Sequence, residues 1–450
     1  MRSAQLGPMK HLLTLFITLN LACTMTLNAQ SFDRALLDNY FDSLAHHDQA
    51  MGSLSIFQDG KEVYARAIGY VDSARQVLAS PTNAYRVGSI TKTFTAVIIH
   101  KLAAEGSLAL DQKLADYYPN IPNADRITLD HLLRHQSGIA NYTAAADVES
   151  WIGEHHEPEF FLELMRKGQP DFEPGAAVAY SNSNYLLLGY IAEWVGEMSY
   201  PELLAHYVTL PLGLEHTYYG GAIDSNKGEV HSFYSTGDGW EVAEPWAMSS
   251  AGAAGAITST AAELNTFYGT LLRGELLPAA TVEEMKLLRD NLGQGLFTFP
   301  FGKRVAYGHN GGIEGFETLS AHFPEENVTI TYLSNGVRLP SNDVMLAALT
   351  VYFGQPFTIP NLEPVADLPE DAVSDLLGTY ASDGFPLKIT ISLEGGKLHG
   401  RATGQGAFPL TPDAPNEFVY PAAGIRLKFD PKNAAMTLMQ AGMVVEMERE

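Results

Sequence analysis

Strand-like segments lie at both ends of the first 355 residues, and this separation constrains the possible folds more than any other feature. Two alternating segments, 53–57 and 62–68, are joined around Asp59-Gly60, a dipeptide typical of hairpin turns. The strand pattern returns much later, at 304–307, 317–323 and 327–333. Helices are predicted before the first strand, after the last strand and through most of the middle, at 31–48, at 341–354 and within roughly 110–290. The sequence therefore predicts one α+β unit whose sheet is assembled from both ends of this region.

The last part of the chain has a different pattern. A segment rich in proline and acidic residues, 358–371, is predicted to be an exposed linker. Residues 372–450 then consist of short alternating stretches separated by turn signals such as Gly395-Gly396. The predicted strands are 387–393, 397–402, 424–429, 436–439 and 444–447. About eighty residues of this pattern predict a small all-β accessory domain, a lipocalin-like barrel or a sandwich.

Length and composition agree with two globular domains, 31–357 and 372–450. At 450 residues the chain exceeds a single typical core, and its 46% hydrophobic and 18% charged residues are typical of folded proteins. The net charge of −24 at pH 7 disfavours nucleic acid and anionic membrane surfaces as partners. We expect no transmembrane span, because no apolar segment after residue 30 is long enough.

Residues 1–30 have the pattern of an export signal. Arg2 and Lys10 precede an apolar run, 12–27, and small residues around Ala29 suit a cleavage site. The sequence therefore predicts a periplasmic or secreted protein.

The single cysteine, Cys23, lies inside this predicted signal. Cleavage would remove it and leave a mature chain without disulfides or cysteine chemistry. Lipoprotein anchoring through Cys23 is the less favoured alternative, because Asn20 stands where leucine is usual in such signals.

Ser89-Ile-Thr-Lys92 stands at the head of a predicted helix, 91–105, which Gly106 closes. Residues three apart on a helix are neighbours, so the Lys92 side chain is expected beside the Ser89 hydroxyl. A serine at a helix N-terminus is also surrounded by free backbone N–H groups and the positive end of the helix dipole. A serine nucleophile needs such a base and such donors, although the pattern alone also fits a solvated helix start.

Two further motifs follow in the chain. Tyr180-Ser-Asn182 comes 88 residues after Lys92, at the start of a predicted helix that ends near Gly196. His309-Asn-Gly311 is predicted at the end of a strand and is followed by Gly312. Each motif is weak alone, but their order and spacing together are specific.

With the flanking segments 127–138 and 307–312, these motifs resemble the serine β-lactamase and penicillin-binding-protein superfamily. The match is closest to the class C β-lactamase-like branch, which also holds D-alanyl-D-alanine carboxypeptidases, D-aminopeptidases and esterases. The resemblance covers about residues 31–355, and the C-terminal segment looks like the accessory domain of some members. It implies a β-lactamase/transpeptidase-like fold, in which an antiparallel sheet is flanked by helices and joined to a helical subdomain. Neither a cofactor nor a metal is expected.

The resemblance also implies roles for the motif residues. Ser89 would attack an acyl carbon and form an acyl-enzyme, with its own N–H and that of Gly312 as the oxyanion hole. Either Lys92 or Tyr180 would take the serine proton, and the choice stays open because the two titrate as a coupled unit. Asn182 would hold Lys92 and the substrate amide. In this branch the tyrosine is thought to activate the water for deacylation.

The third motif departs from the family's penicillin-directed members, which carry Lys-Thr-Gly or Lys-Ser-Gly. Here His309, Asn310 and Gly311 are the predicted substrate-positioning residues, and no such lysine triplet occurs in the chain. Histidine is mostly neutral near neutral pH, so it grips a substrate carboxylate less well than lysine does. We expect uncharged esters or amides, or peptides anchored elsewhere, to be preferred over β-lactams.

The leading hypothesis is an exported serine hydrolase that cleaves an amide or ester, with a D-amino-acid peptide or small ester favoured. Its partner would be a small-molecule or peptide substrate, for example one derived from the cell wall. A true class C-type β-lactamase is one alternative. A catalytically inactive, penicillin-binding-like regulatory protein is another. The histidines spaced as a possible metal pair, His131 and His135, are expected to pack and hydrogen-bond inside the helical region instead.

Overall fold

The computed structural model describes residues 32–236, 239–362, 373–382, 385–403, 407–420, 425–440 and 443–450. The predicted export signal with Cys23, and most of the predicted linker, lie outside the described residues. Within these ranges, the structure contains no helix that is both long and apolar enough to cross a membrane.

Among the described residues, the first unit has eleven strands and eleven α-helices. The strands are β1 Ala50–Gln58, β2 Lys61–Ile68, β3 Tyr85–Arg86, β4 Tyr218–Tyr219, β5 Phe233–Ser235, β6 Trp240–Val242, β7 Ile257–Ser259, β8 Phe297–Phe301, β9 Arg304–Ile313, β10 Phe316–Phe323 and β11 Val328–Val337. The helices are α1 Arg34–His46, α2 Thr91–Ala104, α3 Leu129–Leu133, α4 Pro158–Lys167, α5 Asn182–Gly196, α6 Tyr200–Leu204, α7 Leu210–Leu212, α8 Met248–Gly255, α9 Ala261–Leu272, α10 Ala279–Met285 and α11 Ser341–Tyr352.

The main sheet joins the two ends of this unit, as the strand pattern predicted. Its order is β2-β1-β11-β10-β9-β8, and β1 pairs antiparallel with β11, so that Ile56 lies opposite Ile330. Helices α1 and α11 cover one face, where Tyr40, Phe41 and Val344 are buried. The antiparallel sheet flanked by helices is therefore confirmed.

A helical layer covers the other face of the sheet. Helix α9 packs on β1, β10 and β11, and its Phe267 ring stacks on Phe94 of α2 with 3.7 Å between the ring centroids. Helices α2, α5 and α8 pack against one another behind α9 and share the larger apolar core. Because α2 is buried inside this layer, its N-terminus is surrounded by other parts of the protein.

Strand β9 is longer than the sequence pattern predicted. It continues to Ile313 instead of ending at Tyr307, so that the His309 motif lies within the strand and not after it. Glycines interrupt the apolar alternation here, but close backbone approach leaves no room for a side chain at some of these positions. A Cβ atom on Gly308 would lie 1.9 Å from the Ser320 carbonyl oxygen.

The C-terminal residues form a closed barrel of eight antiparallel strands, which confirms the small β-barrel. Its strands are β12 Gly378–Ser382, β13 Phe385–Glu394, β14 Lys397–Ala402, β15 Ala407–Ala414, β16 Glu417–Tyr420, β17 Ile425–Asp430, β18 Ala435–Gln440 and β19 Met443–Arg449. The sequence pattern missed β12, β15 and β16. Strand β15 contains Pro409 and Pro412, residues that argue against a strand when only the sequence is read.

Candidate active site

Ser89 lies in a short 3₁₀ turn, residues 88–90, that runs directly into α2. The turn is possible because Gly88 adopts a φ of +53°, a conformation that side chains with a Cβ atom rarely take. The Ser89 backbone N–H therefore stands at the free N-terminal end of a buried helix, as the motif predicted.

Lys92 is fully buried one turn further along, and its Nζ atom lies among three oxygen atoms. The distances from Nζ are 2.9 Å to Ser89 Oγ, 2.7 Å to Asn182 Oδ1 and 2.7 Å to the Ala254 carbonyl oxygen. Burial lowers the pKa of Lys92 well below its ordinary value. The side chain is thus held in place by hydrogen bonds while its neutral form is favoured.

Tyr180 lies two residues before the start of α5 and shares a hydrogen bond with Ser89. The Lys92 Nζ atom is 4.9 Å from the centroid of its ring. Burial raises the pKa of Tyr180, and the hydrogen bond with Ser89 only partly offsets this shift. The phenol is therefore favoured over the phenolate, the form that Tyr180 would need in order to act as the base.

The first residue of α5, Asn182, is fixed by two residues that the sequence analysis missed. Its backbone N–H donates to Asn141 Oδ1 at 3.0 Å, and its Nδ2 donates to Thr143 Oγ1 at 2.8 Å. With Nδ2 committed in this way, Oδ1 is directed to Lys92. Asn141 and Thr143 follow the His135-Gln-Ser-Gly138 segment closely, but nothing in their spacing marks them as partners of Asn182.

His135 supports the other side of the tyrosine. Its ring stacks on Tyr180 with 4.5 Å between centroids, and Ser181 donates its backbone N–H to Nδ1 at 3.1 Å. This buried and hydrogen-bonded environment is the one expected for His135, and burial lowers its pKa. In the part of the chain that the structure describes, no cluster of three or more metal-ligating side chains occurs.

The glycines of the third motif press against the Ser89 turn. A Cβ atom on Gly311 would lie 2.1 Å from the Val87 carbonyl oxygen and 3.0 Å from the Ser89 nitrogen. A Cβ atom on Gly88 would lie 3.0 Å from the Gly312 nitrogen. The two backbone segments that carry the Ser89 and Gly312 N–H groups are therefore in direct contact, because no side chain separates them.

His309 is buried beside the tyrosine, whereas Asn310 is exposed on the strand. The His309 ring lies 4.3 Å from that of Phe297 and 6.3 Å from that of Tyr180, measured between centroids. Its Nδ1 donates to the Asn310 carbonyl oxygen at 2.5 Å. Burial, assisted by nearby Lys92, lowers the pKa of His309 to about 3, so the ring is neutral at physiological pH. Phe297 was missed because it lies in a strand that the sequence pattern did not reveal.

The fold and this cluster define a class: serine hydrolases of the β-lactamase and penicillin-binding-protein type. The sequence model of the Beta-lactamase family matches residues 37–352, and the chain therefore belongs to this family.

Similar proteins agree with this assignment. Penicillin-binding protein 4* of Bacillus subtilis strain 168 is 26% identical over 435 residues, which are 88% of this chain and 93% of that protein. The D-stereospecific amidohydrolase from a Streptomyces species is 26% identical, with a TM-score of 0.60 over 70% of this chain and 98% of its own. The octameric penicillin-binding protein homologue from Pyrococcus abyssi has a TM-score of 0.66 over 92% of this chain and 100% of its own. Its sequence is 23% identical to this chain, so this similarity shows a shared fold and no more than that.

Proposed function

We propose that this chain is an exported serine hydrolase that forms an acyl-enzyme on Ser89 and cleaves the amide bond of a D-amino acid derivative or small peptide. The observation that carries the proposal is the set of three oxygen atoms around the Lys92 Nζ atom. A lysine in that position can activate a serine only as a neutral amine, and burial favours that form.

The hydrogen-bond inventory supports Lys92 as the base. A neutral amine has two hydrogens and one lone pair. Asn182 Oδ1 and the Ala254 carbonyl can only accept, so they take both hydrogens. The lone pair is then left for the third neighbour, the Ser89 hydroxyl. Lys92 would therefore remove the proton as Ser89 Oγ attacks the substrate carbonyl carbon.

Tyr180 would complete the proton transfer. As a phenol hydrogen-bonded to Ser89, it can donate its proton to the leaving nitrogen while the C–N bond breaks. The Lys92 ammonium then passes the proton that it took from Ser89 to the Tyr180 oxygen, so both side chains return to their starting forms. In the second half of the reaction, a water molecule attacks the acyl carbon and the same pair takes one of its protons. The pair passes this proton to Ser89 Oγ as the bond between Oγ and the acyl carbon breaks, which regenerates the Ser89 hydroxyl and releases the acid.

The substrate preference rests on His309. A neutral, buried imidazole supplies no positive charge for the carboxylate of a β-lactam. Amide hydrolysis is favoured because the D-stereospecific amidohydrolase resembles this chain over 98% of its own length. Small esters are the second choice, since they would acylate Ser89 through the same steps and have better leaving groups.

The direct test is labelling of Ser89 with a fluorophosphonate, followed by mass spectrometry. We expect one adduct in the full chain, none in Ser89→Ala, and an unchanged adduct in the control Ser225→Ala, which alters a serine in a surface turn. Turnover of D-phenylalanine amide should exceed that of the L-enantiomer, and nitrocefin turnover should be weak. A folded protein without any Ser89 adduct would instead favour the non-catalytic binding protein.

Export is tested separately, in a diderm bacterial host. The mature protein should be found outside the cytoplasm with an N-terminus at Gln30 or Ser31. Incorporation of labelled palmitate that depends on Cys23 would instead identify a lipoprotein. Retention of the uncleaved chain in the cytoplasm would contradict the proposal.

A further inference from the structure

A buried ion pair connects the two backbone segments that carry the Ser89 and Gly312 N–H groups. Arg86 lies on β3, three residues before Ser89, and Glu314 lies two residues after Gly312, in the turn between β9 and β10. Arg86 Nη1 pairs with Glu314 Oε1, and the two side chains are only 3% and 0% exposed. The pair thus links the two segments that form the candidate oxyanion hole.

The same pair also fixes two neighbouring loops. The Trp246 N–H donates to Glu314 Oε1 at 2.6 Å, and the Trp246 carbonyl accepts from Arg86 Nη1 at 3.2 Å. Arg86 Nη2 donates to the Gly221 carbonyl at 2.7 Å. The planar guanidinium therefore connects the β9–β10 turn with two loops that come from distant parts of the chain.

Stability alone is a poor explanation for this pair. Arg86 Nε and Glu314 Oε2 are buried without a hydrogen-bond partner among the described residues. Burial raises the pKa of Glu314, and the Arg86 charge offsets this shift only in part. Buried ion pairs with incomplete hydrogen bonding contribute little net stability compared with apolar side chains of similar volume. What the pair supplies is a defined relative position of the segments it joins.

That position leaves little freedom around the candidate oxyanion hole. Gly88 and Gly312 are packed backbone to backbone, and Gly311 contacts the Val87 carbonyl. A displacement of the β9–β10 turn would be transmitted along two residues of strand to the Gly312 N–H. The Ser89 N–H, which belongs to the other segment, would not follow it.

We propose that Arg86 and Glu314 are positioning residues for the oxyanion hole, holding the Gly312 N–H in register with the Ser89 N–H. The inference rests on the proposed function, because an oxyanion develops only if Ser89 attacks a carbonyl. Hydrogen bonds directed at a developing charge matter more in the transition state than in the substrate complex. Loss of the register should therefore lower kcat much more than it changes KM.

The test compares Glu314→Gln with Glu326→Gln. Both substitutions neutralise a carboxylate that pairs with an arginine, but Glu326 pairs with Arg304 beyond the opposite end of β10. With a p-nitrophenyl ester, Glu314→Gln should lower kcat by about 10- to 100-fold. This loss is smaller than the one caused by removing an oxyanion donor altogether, because the Gly312 N–H is displaced and not lost. KM should stay within about twofold, and Glu326→Gln should behave as the wild type.

The affinity for a phenylboronic acid is a second readout, because this compound forms a tetrahedral adduct on the serine. A purely structural role of the ion pair would leave this affinity unchanged. The affinity of Glu314→Gln for the boronic acid should fall by the same factor as kcat. Arg86→Lys is the second variant, in case Glu314→Gln does not fold. It keeps the charge but lacks the planar fork, and we expect an intermediate loss. Folding of each variant is checked by circular dichroism.

The inference is overturned if the folded variants keep both kcat and boronate affinity, or if kcat and KM change together while boronate affinity does not. Labelling of the wild type at Ser89 separates this result from a failure of the proposed function. A labelled wild type with unaffected variants contradicts only the positioning role. An unlabelled wild type contradicts the hydrolase itself, and the positioning role with it.

Discussion

The two units of this chain bury different kinds of side chain. In the barrel, every buried side chain that the structure describes belongs to an apolar or aromatic residue, with Leu398 and Leu427 fully buried. The first unit buries Lys92, His135 and His309 close to Ser89. Removing such groups from water costs free energy that an apolar core does not have to offset.

This difference means that burial has a different consequence in each unit. In the barrel core, the buried apolar side chains stabilise the fold through the hydrophobic effect. Around Ser89, burial shifts the pKa values of lysine, tyrosine and histidine side chains, a pattern typical of functional sites. The comparison predicts that substitutions in the two units will act on different measurable quantities.

The largest effect is expected for Lys92→Met. Activity on esters and amides should fall by about 10³- to 10⁴-fold, since a general base contributes up to this amount. Stability should be unchanged or higher, because the substitution removes a buried amine whose pKa is lowered in the folded protein. Lys101→Met, a substitution on the same helix at a partly exposed site, is the matched control and should retain activity.

The pH dependence of stability gives the same prediction a second readout. A lowered folded-state pKa means that the unfolded chain binds more protons than the folded chain at pH values between the folded-state pKa and the ordinary lysine pKa. The Lys92 contribution to stability should therefore rise with pH up to about 10.4. Lys92→Met should flatten this slope in denaturant titrations. An unchanged slope would indicate that Lys92 is charged in the folded protein.

The second largest effect is expected for Gly311→Ala. The added Cβ atom would lie 2.1 Å from the Val87 carbonyl oxygen, so the strand must move away from the Ser89 turn. We expect kcat to fall by about 10²- to 10³-fold, comparable to loss of an oxyanion donor. Gly153→Ala, whose Cβ atom would meet nothing closer than 3.7 Å, is the control. Equal activity in both variants would contradict the close contact.

In the barrel, Leu427→Ala should change stability and leave chemistry intact. Deleting most of a fully buried leucine costs about 2–5 kcal/mol of unfolding free energy. Thermal unfolding should then show an early transition for the barrel, while kcat/KM for a small ester stays at the wild-type value. Val444→Ala alters a 65% exposed side chain and should do neither. A loss of ester activity in Leu427→Ala would reveal that the barrel supports the first unit.

Much of this architecture could be predicted from sequence because its signals are local. The helix after Ser89 and the helix that begins at Asn182 follow from apolar periodicity and end signals, and the hairpin around Asp59-Gly60 follows from turn chemistry. The order of the motifs identified the family. Strand β9 was shortened because its glycines allow close contact with distant segments, and β15 was missed because Pro409 and Pro412 argue against a strand.

The same limit applies to the candidate site. Ser89 and Lys92 are three residues apart, so a helix brings them together and the sequence suffices. Asn141, Ala254 and Phe297 contact the motif residues only through tertiary structure, and no spacing predicts them. Protonation is equally non-local, since the neutral state of His309 depends on burial by other elements.

The smallest effect is expected for the ion pair between Lys388 and Glu450 in the barrel. Their Nζ and Oε1 atoms are 2.6 Å apart, close enough for a hydrogen bond, yet the side chains are 54% and 49% exposed. Water screens such a pair in both states of the chain, so Lys388→Met should change the unfolding free energy by less than about 1 kcal/mol. Substitution of the buried pair of Arg86 and Glu314 should, by contrast, have a large effect on kcat. Denaturant titrations and ester kinetics on both sets of variants would measure this contrast. A cost above 2 kcal/mol for Lys388→Met, by the same surface-pair scale, would mean that the barrel depends on charge as well as on its apolar core.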